Sequence, residues 1–276
     1  MTDELAENNH ALYIYCLATQ QCRSLMQELT GVDVRYPVIA LEDEANQDNV
    51  IAVIGEVDPA EFSEENLRTI SWLGIRAQRH EAVVAQVMAV SPVLPVKFGT
   101  LFRSTVSLKA FLAQHHLAIV QALNMLEGKT EWSVKGYLVE EQARPVVVAA
   151  YLEIQSQFAA MSPSPGARYI QQRQLEIKTE AAMRTWLARA NEQLKGSLIP
   201  YAMASTELRC HSSAVTGRPA RMVFNTSFLL DDAALNPFRA ALGEQQLIYQ
   251  GSGLTFELQG PWPPYNFCPT LAETAP

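Results

Sequence analysis

Residues 254–267 read LTFELQGPWPPYNF. Leu254, Phe256 and Leu258 alternate with Thr255, Glu257 and Gln259, the period of a half-buried strand. Gly260 is expected to end that strand. Pro261, Pro263 and Pro264 then fix φ, withhold three backbone donors and stiffen an extended tail carrying Trp262, Tyr265 and Phe267. Three aromatics on such a tail require a groove, in the rest of the chain or in a partner. Large aromatics are usually buried in their own fold, which favours the first reading. Everything upstream has to supply the sheet that this strand completes.

Working backwards, the second half of the chain gives that sheet its other strands. Trp132, Val134, Gly136 and Leu138 alternate as a strand. Two helical stretches follow at 3–4 spacing, Val147, Tyr151, Ile154, Phe158 and Met161, then Met183, Leu187, Ala190, Leu194 and Leu198, with SPSPG at 162–166 between them. Residues 202–210 and 222–230 alternate as strands. Asp231 and Asp232 are placed to cap a helix that runs to about Gln250, before Gly251 and Gly253 release the chain. The order β-α-α-β-β-α-β is that of a modified ferredoxin-like (split β-α-β) fold in which the first helix has become a helical pair.

The first half is also α+β, with strands grouped before helices. ALYIYCLA at 11–18, residues 34–41 and residues 50–57 read as strands, the last two separated by an acidic loop at 42–49. From Glu61 to Val90 the pattern is helical, and Leu73, Ala77, His80, Val84 and Val87 form one apolar stripe. His80 therefore reads as a buried, hydrogen-bonded core histidine, because HEAVV at 80–84 lacks the second histidine of a zinc pair. VLPVKFGTLF at 93–102 is extended and turns at Gly99. Another helix, with Leu108, Leu112, His115, Ile119, Leu123 and Leu126 on one side, ends at Gly128. The expected division is residues 1–128, residues 129–260 and an aromatic, proline-rich tail at 261–276.

Composition narrows the function. The chain has 276 residues, 48% of them hydrophobic and 18% charged, a globular composition long enough for two domains. It contains no apolar run of the ~18 residues that a membrane span requires. Its polar, acidic first ten residues do not resemble a signal peptide, which points to the cytoplasm. Cys16, Cys22, Cys210 and Cys268 have neither disulfide nor zinc spacing. The net charge of −8 is uneven: the first 65 residues hold 14 acids against Arg23 and Arg35, leaving 15 acids and 19 basic residues for the remainder. An acidic first domain is unsuited to nucleic acid. Phosphate-loop, dinucleotide and nucleophile-elbow motifs are missing, so no cofactor and no catalytic residue is assigned.

Several stretches together resemble the gas vesicle protein family GvpF/GvpL. They are Tyr13–Tyr15 (YIY), VLPVKFGTLF at 93–102, EWSVK at 131–135, PGARY at 165–169 and GPWPPYNF at 260–267. The second and last are the specific ones. Lys97 stands where the family commonly has Arg, Gly136 where an aliphatic is common, and Asn266 where Ser is usual. The resemblance implies a non-enzymatic assembly role in gas vesicles. The main partner it implies is the hydrophobic major shell protein GvpA, whose aggregation the protein would prevent, with other vesicle accessory proteins as further candidates. No small-molecule substrate is expected. The alternative is a small-molecule-binding or catalytic α+β protein, since a ferredoxin-like fold does not settle function.

Two segments are candidate contact sites, either for a partner or as a latch between the halves: Val93, Val96, Phe98 and Phe102 in the first, Trp262, Tyr265 and Phe267 in the second. As a latch, Trp262 is expected to be buried, and Trp262→Ala to cost on the order of 3–5 kcal/mol.

Overall fold

The structure, a computed structural model, describes residues 10–42, 49–159, 164–269 and 271. Most of the expected acidic loop, Met161 and the start of the SPSPG break lie outside the described residues. The chain divides into two compact units, Met1–Glu131 with Pro261–Pro276, and Trp132–Gly260.

The first unit begins with β1 (Ala11–Thr19), followed by β2 (Val38–Glu42) and β3 (Val50–Val57). Strand β2 starts four residues later than its hydrophobicity suggests. The carboxylate of Asp33 accepts from the Arg35 amide, its carbonyl accepts from the Tyr36 amide, and Pro37 has no donor to give. Residues 33–36 are therefore a turn and Val34 is exposed. Two helices follow, α1 (Glu64–Arg68), capped by Ser63, and α2 (Ile70–Met88), whose buried residues are His80, Val83, Val84 and Val87. Short strands β4 (Val93–Pro95) and β5 (Leu101–Phe102) lead to α3 (Thr105–Leu126), which opens on a Ser104/Ser107 capping box. The sheet order is β2-β3-β1-β4, with β5 also on β1.

This sheet is irregular at one point. The β1–β3 register shifts between Ile14 and Cys16. Ahead of the shift Ala11, Tyr13 and Tyr15 face the core; beyond it Cys16 and Ala18 do. A bulge thus puts Tyr15 and Cys16 on one face, which regular alternation forbids.

Strand β6 (Lys129–Leu138) leads into the second unit. Three helices, rather than the expected two, precede the next strand: α4 (Glu140–Ala150), α5 (Leu152–Ala159) and α6 (Pro165–Leu198). The first turns of α6 carry no apolar stripe because they are solvent-exposed throughout, and the sequence pattern picks the helix up only at Met183, although burial begins at Leu175. After β7 (Ala204–Glu207) and the single turn α7 (Ser213–Thr216) come β8 (Arg221–Asp231), α8 (Leu235–Ile248) and β9 (Leu254–Trp262). The Asp231 side chain makes no capping bond, contrary to expectation; a 3-10 turn over Asp232–Ala234 intervenes before α8. Strand β9 also runs through Gly260 and Pro261 instead of stopping there. The sheet order is β7-β8-β6-β9.

The core of this unit sits between the sheet (Trp132, Val134, Leu138, Phe224, Phe228, Leu230, Leu254 and Phe256) and the helices (Leu187, Ala190, Leu194, Phe238 and Leu242). Gly136 is required here. A Cβ at this position would stand 2.8 Å from Cβ of Phe224 and 3.2 Å from the Phe256 ring, so those two side chains occupy the space that an aliphatic residue would take.

Candidate functional site

The two most specific sequence segments meet around one histidine. His80 is 1% exposed, and its ring stacks on Tyr15 at 5.7 Å with the edges of Tyr13 and Phe98 beside it. Phe98 comes from the 93–102 segment, which is held in place by β1. Val93, Leu94 and Pro95 pair with Ala18, Leu17 and Cys16, the Val96 amide donates to the Tyr15 carbonyl, and the Ile14 amide donates to the Thr100 carbonyl. Phe102 pairs opposite Leu12 and lies 5.4 Å from the Phe111 ring.

The tail reaches the same histidine. Pro263 and Pro264 are buried, and residues Tyr265–Phe267 make a 3-10 turn closed by Tyr265 and Phe267 amides on the Pro263 and Pro264 carbonyls. This turn brings the Tyr265 hydroxyl to 3.0 Å from His80 Nε2 and 2.8 Å from a Glu81 carboxylate oxygen. On the other side of the ring, Nδ1 is 2.8 Å from the Tyr13 hydroxyl, which in turn accepts from the Gly99 amide.

These partners fix the protons. Glu81 can only accept, so Tyr265 donates to it and accepts from His80 Nε2–H; Tyr13 then donates to Nδ1. The imidazole is held neutral with its proton on Nε2. Burial enforces this, pulling the His80 pKa down to about 4, against a smaller opposing effect from the Val96 carbonyl. Burial likewise pushes the Tyr265 and Tyr13 hydroxyls far above their ordinary range.

A second anchor lies one residue on. Glu131 is 3% exposed, and its carboxylate accepts from the Asn266 backbone amide at 3.1 Å and from the Asn266 side-chain amide. Cys268, its thiol pushed up to about 12 by burial, donates to the Pro264 carbonyl. Asn266 thus binds the Glu131 carboxylate through both its backbone and its side chain. Sequence reasoning assigns Glu131 no role of its own; an acid at the start of a strand that is otherwise buried is the only signal it gives.

Trp262 does not join this cluster. It is 46% exposed at the end of β9, and the two residues after it, Pro263 and Pro264, are buried in its place. Val93, Phe98 and Tyr265 converge on one core, Val96 and Phe267 are half-buried, and Phe102 packs on α3. Every hydrogen bond named for the tail runs to its own unit. The network orders protons along a closed path that holds the chain end to α2.

The model of the family "Gas vesicle synthesis protein GvpL/GvpF" matches residues 11–269. This chain belongs to the GvpL/GvpF family. Among curated relatives, it is 28% identical over 231 residues to gas vesicle protein L of Streptomyces sp. (strain CB03234), covering 82% of each chain. It is 24% identical over 256 residues to gas vesicle protein F of the same strain, covering 92% of this chain and 98% of that one. The crystal structure of GvpF from Anabaena sp. PCC7120 superposes with a TM-score of 0.71 at 16% identity, over 94% of this chain and 98% of that one. GvpF from Microcystis aeruginosa gives 0.65 at 15%, over 94% and 99%. At these identities the two structures speak for the GvpL/GvpF fold alone. Among the described residues, no helix is long and apolar enough to cross a membrane.

Proposed function

We propose that this GvpL/GvpF protein is a non-enzymatic gas vesicle assembly factor, a minor vesicle-associated component acting from the cytoplasm. In this reading it binds the major shell protein GvpA and keeps it from aggregating while vesicles nucleate and grow.

The observation that carries the proposal is the display of Trp262. A tryptophan followed by two buried prolines and a hydrogen-bonded turn has its backbone anchored, yet nearly half its surface is left in water. Tryptophan is among the side chains most enriched at binding hot spots, and anchoring its backbone lowers the entropy lost on association. We assign Trp262 to partner contact. Val93, Val96, Phe98, Phe102, Tyr265 and Phe267 are assigned to the latch that presents it. The second unit is read as a modified ferredoxin-like domain, which the order β7-β8-β6-β9 supports.

Co-expression with GvpA tests the proposal. The soluble fraction of GvpA should rise with the wild-type chain and fall back with Trp262→Ser. Equal GvpA aggregation with and without the wild-type chain overturns it.

A further inference from the structure

The first unit carries a groove of about 600 Å³ that the anchor around His80 does not use. One side is the edge strand β2, through Val38, Ile39 and Ala40; the other is the excursion before it, including Met26, Leu29 and Val34. Among the described residues β2 pairs only with β3, so its other edge carries alternate backbone N–H and C=O groups that no described strand pairs.

Edge strands are ordinarily protected by lysine, proline or a bulge. VIAL at 38–41 has none of these, and Ile39 is 42% exposed. The wall opposite is fixed in place. The Val32 amide donates to the Tyr15 hydroxyl at 2.8 Å, and a Cβ on Gly31 would meet that hydroxyl at 2.6 Å. Arg35 bridges Asp33 and Glu61, and Glu61 also holds Arg76. The site is therefore built before any ligand arrives, which is how affinity is kept from being spent on ordering.

Charge indicates what enters it. Arg23 and Arg35 are the only charged residues lining this groove; each stays half-exposed while paired on one side, Arg23 with Glu42 and Arg35 with Asp33 and Glu61, so the face each turns to the groove is basic. We infer that the β2 groove is a peptide-binding site: an extended segment of another polypeptide, with alternating apolar side chains and flanking carboxylates, adds to β2 as a further strand. Its backbone pairs with the β2 edge, its apolar side chains meet Met26, Leu29 and Val34, and its carboxylates reach Arg23 and Arg35. This inference does not depend on which polypeptide the vesicle role involves, and its test contains no shell protein.

The probe is a fluorescein-labelled peptide of alternating valine and threonine with a glutamate at each end, titrated with the full chain by fluorescence anisotropy. Binding is expected to saturate. N-methylation of alternate peptide amides should weaken it by about tenfold or more, since strand addition rests on backbone donors. Replacing the terminal glutamates by lysines should weaken it as well. Ile39→Lys, an exposed substitution that restores edge protection, should abolish it. Absence of saturable binding overturns the proposal. So does binding that the N-methylated peptide matches, because the groove would then be a non-specific apolar patch.

Discussion

His80 Nε2 lies 3.0 Å from the Tyr265 hydroxyl, across 185 positions of sequence. This contact closes the chain end onto the helix of the first unit. In Tyr265→Phe the buried Nε2–H loses its acceptor. An unsatisfied buried donor costs about 1–3 kcal/mol. Thermal melting should fall accordingly, and limited proteolysis should cut the tail at 261–269 before the rest of the first unit. Equal protection of the tail in wild type and mutant contradicts the anchor.

The same imidazole predicts a pH dependence. Its folded pKa, pulled down to about 4 by burial, lies below the ordinary 6.5. Between these values the unfolded chain binds a proton that the folded chain refuses, so stability increases with pH. The contribution is fully present above 6.5, is lost as pH falls towards 4, and is on the order of 3 kcal/mol in total. Tyr13, Tyr265, Glu81 and the stacked Tyr15 surround the group. Midpoints in urea measured from pH 7 to 4.5 should drop more steeply for wild type than for His80→Gln, which cannot take up the proton. Parallel slopes would place the acid sensitivity elsewhere.

Much of this arrangement is legible in residue patterns. The apolar stripe of α2 places His80 in the core, and the prolines of the tail mark a pre-extended segment. The partner of each is not legible. The β1 bulge has no signature in YIYC, yet it turns Cys16 and Ala18 onto the face where Tyr15 meets both His80 and the Val32 amide. The exposure of the Trp262 ring escapes a sequence reading for a simpler reason: prolines read as spacers, whereas Pro263 and Pro264 are themselves the buried surface. The first turns of α6 escape it because periodicity reports burial, and those turns are not buried.

Trp262→Ala is accordingly a test of presentation. Truncating a buried tryptophan costs about 3–5 kcal/mol, but a ring that is 46% exposed forfeits only part of that. A change of about 1 kcal/mol or less is expected in denaturant midpoint, together with a clear loss of GvpA solubilisation. A large stability loss would return the ring to the core.

The glycine in β6 sets strand propensity against packing. Glycine is a poor strand residue and the family resemblance implies an aliphatic one here, so Gly136→Val looks like a repair that raises strand propensity. Here the Phe224 Cβ and the Phe256 ring already stand 2.8 and 3.2 Å from where a Cβ would be. Those contacts belong to buried side chains of β8 and β9, not to a flexible chain end. Overpacking of this kind costs about 1–3 kcal/mol or more. Gly136→Val should therefore lower the urea midpoint, and pairing it with Phe256→Leu should recover part of the loss, since the smaller side chain vacates the space that the valine needs. If the single mutant is as stable as wild type, the sheet has relaxed and the rings do not define the position.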